Sequence, residues 1–376
     1  MTLNQRIRHW NHKRIDKMRA WKLQMARFVF GPFSRFLTED KADKKILVLR
    51  LDGKVGDSVT ATGFLRAIKN SYPDYQLIVA TNKGAAEIYQ SLSFIDQVLI
   101  GQKGIGSTLA LFAQLKRNSY AYIVNTSHIL TPQVIFLNSF LKAFRKISFE
   151  NLKMKGIFSD CLSIDFHAEH ITDRYQKVLT AMKLSKADLS YQVNIELESA
   201  RKAEAYLQDL RKKYRQIIVL NSFAGARLRN FNLQTTKKIV SELLQRWPEA
   251  CVLSVANIGD HRILNEWISE APDSRWIHNP EFSTLQENMA ILNKADILIT
   301  PDTAWVHVAS ALKKKVVAVY REERNPAESN AVIWGPFGTQ AVVVTAASKE
   351  SAPDDINNVN VSEVIKAVSS IIDRPL

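Results

Sequence analysis

Short apolar runs alternate with stretches of helical periodicity through most of the 376 residues, and that alternation leaves few folds open. Ile46 to Leu51 is apolar except for Arg50 and stops at Asp52-Gly53, so it reads as a strand buried on both faces. A helix is expected next, because Val59, Phe64, Leu65 and Ile68 keep helical spacing up to Tyr72-Pro73. The same succession repeats: strand Gln76 to Ala80, helix Ala85 to Leu92, strand Gln97 to Ile100, helix Leu109 to Lys116, strand Ala121 to Asn125, helix Val134 to Phe144. A second series follows a charged helix from Ala200 to Tyr214, with strands at Gln216 to Leu220, Cys251 to Val255, Asp296 to Thr300, Val316 to Tyr320 and Ala341 to Val344. Strand–helix succession of this kind builds parallel sheets covered on both faces. The expected fold is therefore α/β, with two doubly wound, Rossmann-like domains facing a cleft, joined between Ser163 and Ser199.

The expected boundaries are 1–45 for an N-terminal arm, 46–185 for the first domain and 186–350 for the second. Residues 351–376 form a C-terminal helix that could cross back to the first domain. A length of 376 residues suits two domains. With 46% hydrophobic and 23% charged residues, disorder and disulfide scaffolds are excluded. Cys161 and Cys251 are too far apart in sequence for a Cys-x-x-Cys pair or a zinc ribbon, and a reducing cytosol suits them.

The chain carries a net charge of +14, and Met1 to Lys45 contributes twelve Lys/Arg against four Asp/Glu, hence +8. From Asn11 to Val29, Ile15, Met18, Trp21, Met25 and Phe28 recur at steps of three and four among Lys13, Arg14, Lys17, Lys22 and Arg27. This is a basic amphipathic helix, ended by Gly31-Pro32 and followed by a polar linker from Thr38. It suits an anionic partner, membrane phospholipid or nucleic acid, or else packs on its own protein. No apolar run is long enough to span a membrane, and the start does not read as a signal peptide.

Ligands of doubly wound sheets bind beyond the carboxyl ends of the strands, which directs attention to three loops. In Leu51-Asp52-Gly53-Lys54-Val55-Gly56-Asp57-Ser58, glycines permit close backbone approach, and Asp57 at a helix mouth is either a general base or an N-cap. In Pro301-Asp302-Thr303-Ala304-Trp305-Val306-His307, Asp302 or Thr303 caps a helix whose free N–H groups and dipole suit a diphosphate, and Thr303 and His307 share a face. Between Leu220 and Phe231, Ser222, Arg227 and Arg229 lie in a long loop; its guanidinium forks suit diphosphate oxygens, or are solvated surface charges. Gly104-Ile105-Gly106 lacks the rest of the dinucleotide fingerprint, and no Walker A lysine motif or D-x-D occurs. Asp165, His167 and His170 have metal-ligand spacing without cysteine support, and no metal is expected there.

With these loops in order, the chain resembles family 9 glycosyltransferases, the lipopolysaccharide heptosyltransferases, over about Ile46 to Ala346. The resemblance rests on Gly56-Asp57 after a strand, on Arg229 with Phe231 two later, and on Asp302-Thr303 followed by His307. It implies a GT-B arrangement and inverting, metal-independent transfer of heptose from ADP-L-glycero-D-manno-heptose to the Kdo/heptose inner core, with no cofactor. By similarity Asp57 is the general base, with Lys54 and Gly56 in the acceptor-side loop. Arg229 stands at the family's diphosphate lysine, Arg227 assists, and Ser222, Asp302, Thr303, Ala304, Trp305 and His307 line the donor. Asp260 and Phe282 align with residues around ribose and adenine. The implied partners are a nucleotide sugar, a lipid A–Kdo acceptor and the anionic cytoplasmic face of the inner membrane, with no nucleic acid. Departures from the usual Asp-Thr-Gly-Leu-Ser-His at Ala304, Trp305 and Val306, and from the usual loop at Arg321 to Ser329, leave open a different nucleotide sugar. Two rival classes remain: an ester hydrolase with Ser58 of Gly56-Asp57-Ser58 as nucleophile, and a non-catalytic membrane scaffold on a degenerate transferase fold.

Overall fold

A computed structural model describes residues 3–127, 130–149, 154, 156–322, 330–348 and 355–372. The chain divides into two units: Met1–Lys54, Phe64–Ile164 and Arg174–Ala187 form the first, and Val55–Gly63, Asp165–Asp173 and Asp188–Leu376 the second.

The first unit opens with helix α1 (Leu3–Phe30) and a two-residue strand β1 (Arg35–Phe36). Its sheet then follows the alternation of the sequence. Strands β2 (Lys45–Arg50), β3 (Gln76–Thr81), β4 (Gln97–Ile100), β5 (Ser119–Asn125), β6 (Lys142–Phe149) and β7 (Asp160–Leu162) are joined through helices that include α2 (Val55–Ser71), α3 (Lys83–Gln90), α4 (Ile105–Leu115) and α5 (Pro132–Phe140). All pairings are parallel, in the order β4-β3-β2-β5-β6, with β1 and β7 both pairing β6. Ile46, Leu47, Val48 and Leu49 of β2 are fully buried, as a central strand between helical layers requires. Helix α6 (Ile171–Ala181) lays Tyr175 against Phe64 of α2, with stacked rings 5.0 Å apart.

The second unit is built on a sheet ordered β10-β9-β8-β11-β12-β13, again wholly parallel. Its strands are β8 (Gln216–Asn221), β9 (Ala250–Val255), β10 (Trp276–His278), β11 (Ile297–Pro301), β12 (Lys315–Arg321) and β13 (Ala341–Ala346). Numbered within the unit this is 3-2-1-4-5-6, the doubly wound order, whose strand direction of travel reverses between β8 and β11. Helices α7 (Leu197–Arg211), α8 (Leu233–Arg246), α9 (His261–Ser269), α10 (Leu285–Lys294), α11 (Ala304–Ala311), α12 (Asn330–Ile333) and α13 (Val361–Ile372) complete it.

Four sequence expectations need correction. The helix expected over Val134 to Phe144 stops at Phe140: Leu141 turns extended and Lys142 begins β6, because the apolar residues there also satisfy the period of a strand. Strands β1, β7 and β10 were not expected; two or three residues carry no periodic signal. The C-terminal helix packs on α8, β12 and β13, with Val364, Val368 and Ile371 buried in the second unit's core, instead of crossing back. Helix α1 begins at Leu3 and not Asn11, and its anchoring face is Leu23, Ala26 and Phe30 against the first core, while the expected stripe is exposed. Residues 323–329 of the departing Arg321 to Ser329 loop lie outside the described residues.

Candidate active site

Strands β8 and β11 lie side by side, so their carboxyl ends deliver two of the three singled-out loops to the same edge of the second sheet. Asn221, the last residue of β8, joins them: its Nδ2 donates to Thr300 Oγ1 on β11 at 3.0 Å and to Phe223 O at 3.0 Å. Asn221 was not anticipated from the sequence, where a single asparagine at a strand end carries no local signature.

The loop after β8 is a closed excursion. Phe231 N donates to Ser222 O at 2.9 Å, and the Phe231 ring is buried in the core, pinning the base of the loop. Ala224 N donates to Asn230 Oδ1 at 2.7 Å, and a single 3-10 turn over Arg227–Arg229 presents the two arginines. Arg227 is exposed. Arg229 is half-buried, and its Nη1 stands 3.1 Å from Asp302 Oδ2 on the neighbouring loop, while its Nε is buried without a hydrogen-bond partner. Ser222 is placed differently: its hydroxyl is buried and accepts from Thr236 Oγ1 at 3.2 Å, which makes it part of the loop's footing.

After β11, Thr303 is the N-cap of α11, its Oγ1 accepting from Trp305 N at 3.1 Å, and Asp302 is left to pair with Arg229. A cap satisfies one orphan N–H; the remaining N–H groups and the positive end of the helix dipole suit an anion. Ala304 and Trp305 form the first turn and are half-buried. His307 is buried and lies edge-on to Tyr191, with ring centroids 6.0 Å apart, and to Trp334 at 6.3 Å. Burial, reinforced by nearby His170, pushes its pKa down to about 3, so the ring is neutral and offers a diphosphate no cationic charge. Its Nδ1 has no hydrogen-bond partner.

The third loop enters the second unit through Val55–Gly63, the first half of α2. Lys54, exposed, is the N-cap and makes no side-chain cap bond; Asp57 therefore lies in the first turn and is not the cap. Gly56 is buried, and a Cβ there would stand 3.0 Å from His307 Cδ2 and 3.2 Å from Ala304 Cα, so α2 and α11 approach with their starts in contact, closely enough that a larger residue would push its neighbours aside by a few tenths of an ångström. Asp57 is half-buried one residue on, with its carboxyl at a helix start whose dipole favours negative charge. Further along, Gly63 lies under Leu189 O, only 2.3 Å from where a Cβ would be, and Gln192 N donates to Thr62 Oγ1 at 2.7 Å. Ser58 is fully buried, a poor place for a nucleophile.

The remaining expected residues lie on other segments of the chain. Asp260 ends a 3-10 turn before α9, and burial raises the pKa of its carboxyl. Phe282 is buried with its ring against Tyr206, 5.2 Å between centroids, and Lys202 Nζ 4.8 Å above it. Asp165 Oδ1 accepts the amides of His167 and Ala168, a local turn, and His170 Nδ1 is 2.7 Å from Thr172 Oγ1. Among the described residues no group of three His, Cys, Asp or Glu is placed to hold a metal ion.

The chain is 21% identical to the lipopolysaccharide core heptosyltransferase OpsX of Haemophilus influenzae over 74% of its length and 80% of the relative's. It is 20% identical to the putative lipopolysaccharide heptosyltransferase 4 of Escherichia coli, covering 93% of this chain and 94% of that one. Among solved structures, the family 9 glycosyl transferase of Veillonella parvula has a TM-score of 0.72 at 16% identity, covering 88% of this chain and 97% of that one. E. coli ADP-heptose lps heptosyltransferase II has a TM-score of 0.69 at 16% identity, covering 87% and 98%. E. coli heptosyltransferase WaaC with ADP has a TM-score of 0.64 at 12% identity, covering 87% and 99%. The profile of glycosyltransferase family 9 (heptosyltransferase) matches residues 108–360, so the chain belongs to that family and is a glycosyltransferase.

Proposed function

We propose that this enzyme moves a heptose from ADP-L-glycero-D-manno-heptose onto the Kdo/heptose inner core of lipopolysaccharide, inverting the anomeric centre, without a metal or cofactor. The observation that carries the donor half is the Arg229–Asp302 pair beside the Thr303-capped start of α11, at the reversal point of the second sheet. A departing ADP gathers negative charge on its diphosphate. Arg229, held in place by Asp302, and the N–H groups of α11 meet that charge in the role a divalent cation plays elsewhere, with Arg227 within the same turn. On the acceptor side, the attacking hydroxyl must lose a proton as its oxygen bonds to the anomeric carbon. Asp57 accepts it, and the start of α2 favours the ionised carboxylate that does so. The neutral His307 supports this arrangement by packing against Gly56 and holding the two helix starts together. A lipid-linked acceptor places the enzyme on the cytoplasmic face of the inner membrane.

The test is direct. Purified enzyme, ADP-heptose and a Kdo–lipid A acceptor in EDTA should yield a product heavier by one heptose, with release of ADP. Absence of transfer to every Kdo- or heptose-terminated acceptor overturns the reading. Ala304 and Trp305, where the family usually has glycine and leucine, favour one second reading, a different sugar on the same ADP; transfer from another ADP-sugar but not from ADP-heptose would establish it.

A further inference from the structure

Helix α1 has two apolar faces, and the fold uses only one. Leu23, Ala26 and Phe30 anchor its last turns on the first unit, where Phe30 meets Phe136 and Phe140 with ring centroids 5.3 and 6.0 Å away. At 3.6 residues per turn, Trp10, Trp21 and Phe28 fall within about 20° of each other on the opposite side, with Met18 and Met25 next to them. That side is open to solvent: Trp10 is 61% exposed, Trp21 60% and Phe28 79%. Phe33 and Phe36, just past the helix, are exposed as well. A stripe of this size on a soluble face is not neutral; large exposed apolar patches mark contact surfaces.

Charge selects the partner. Leu3–Phe30 carries eight Lys/Arg against Asp16 alone, a net +7. Arg14 and Lys17 border the stripe, and the Arg14 guanidinium lies over the Trp10 ring at 5.2 Å. Two copies of this helix would repel each other, whereas an anionic sheet of headgroups attracts it while the rings enter the acyl boundary. Among the described residues no helix is long and apolar enough to cross a membrane. We infer that the exposed Trp10–Trp21–Phe28 face of α1 is a docking surface for an anionic phospholipid bilayer, lying in the plane of the interface. This deepens the membrane placement in the function proposed above and rests on it for its biological sense, but its test reads lipid binding and not transfer.

The full chain is sedimented with phosphatidylethanolamine–phosphatidylglycerol vesicles and with phosphatidylcholine vesicles, alongside Trp21→Ser/Phe28→Ser and Arg14→Glu/Lys17→Glu, each with its melting temperature and its turnover on a water-soluble deacylated acceptor. The inference predicts binding to the anionic vesicles that weakens with salt, at least tenfold weaker partitioning for both double variants, and unchanged melting and soluble turnover. Equal sedimentation of wild type and variants overturns it, as does a fall in melting temperature in the serine variant with no loss of lipid binding. A wild-type dimer that the serine variant abolishes without altering sedimentation assigns the stripe to a second copy instead. Binding of single-stranded RNA that outcompetes the vesicles assigns it to nucleic acid. Unchanged vesicle binding with failed sugar transfer would sink the proposed function and leave this surface standing.

Discussion

In the first unit Arg50, Lys146 and Arg174 are buried, whereas no lysine or arginine of the second unit is buried among the described residues, and Arg227 and Arg229 stand at its strand ends. Both sheets reverse strand order in the same way, at β2/β5 and at β8/β11, so topology alone does not tell them apart. The chemistry at the reversal does. At β2/β5 the cation is spent internally: Arg50 Nη1 donates to Thr126 O at 3.1 Å and Thr126 Oγ1 at 3.0 Å, and Asn82 Nδ2 closes the loop on Gly53 O at 2.7 Å. At β8/β11 the arginine is oriented by one carboxylate and remains half-exposed. A guanidinium that is fully buried and turned onto the loop after β5 cannot meet a diphosphate; one that is held but open can.

The largest expected effect comes from the residue that belongs to neither pattern. Asp57→Asn keeps the shape of the first turn of α2 and removes the charge that takes a proton, so turnover should fall roughly 10²-fold or more with ADP affinity little changed. Near-normal turnover in stopped assays would reduce Asp57 to a structural residue. Arg229→Ala removes the open guanidinium and should weaken ADP binding by about 10- to 100-fold while leaving acceptor affinity alone, in line with a charge-assisted hydrogen bond of about 1.5–3 kcal/mol. Arg229→Lys should retain part of the affinity and lose the fork. Calorimetry that finds both ligands equally weakened would remove Arg229 from the donor side.

Arg50→Met sharpens the contrast from the other half. It strands the carbonyl and hydroxyl of Thr126 and should cost about 1–3 kcal/mol in denaturant unfolding, with ADP affinity unchanged. Loss of ADP binding without loss of stability would show that the two reversal points have been told apart wrongly. The smallest effect is expected from Lys146, whose ammonium donates to Asn138 O and sits 4.8 Å from the Phe36 ring. Burial pushes its pKa down to about 8 from 10.5. The unfolded chain therefore binds more protons than the folded one between those values, so this lysine makes stability rise with pH across that window, by at most about 1.4 kcal/mol per unit. Lys146→Met should flatten the rise; an unchanged profile would locate its cause elsewhere.

Much of the architecture was legible because buried parallel strands advertise themselves. Of the strands anticipated, β2, β3, β4, β8, β9, β11, β12 and β13 begin within a residue of their expected starts and β5 two residues early, since each is an apolar run between turn signals. Strand β6 was hidden because Lys142-Ala143-Phe144 prolongs a helical pattern, and β10 because three residues have no period. At the site, the roles of Thr303 and Asp302 were separable only in three dimensions: either could cap from sequence, and the ion pair across loops decides which does. Phe231 illustrates the converse. Its spacing from Arg229 reads as a motif, and its buried ring shows why that spacing matters, as the anchor that returns the loop to the core. Phe282, which aligns with residues around the nucleoside, packs against Tyr206 and under Lys202, contacts that no spacing could reveal.

The central claim is that the reversal point of the second sheet, and not of the first, holds the donor's diphosphate. A crystal structure of the enzyme with ADP tests it most directly. The account predicts diphosphate oxygens about 3 Å from the Arg229 guanidinium and from the N–H groups opening α11. A diphosphate seated at the carboxyl ends of β2 and β5, or anywhere out of reach of Arg229 and Thr303, would contradict it.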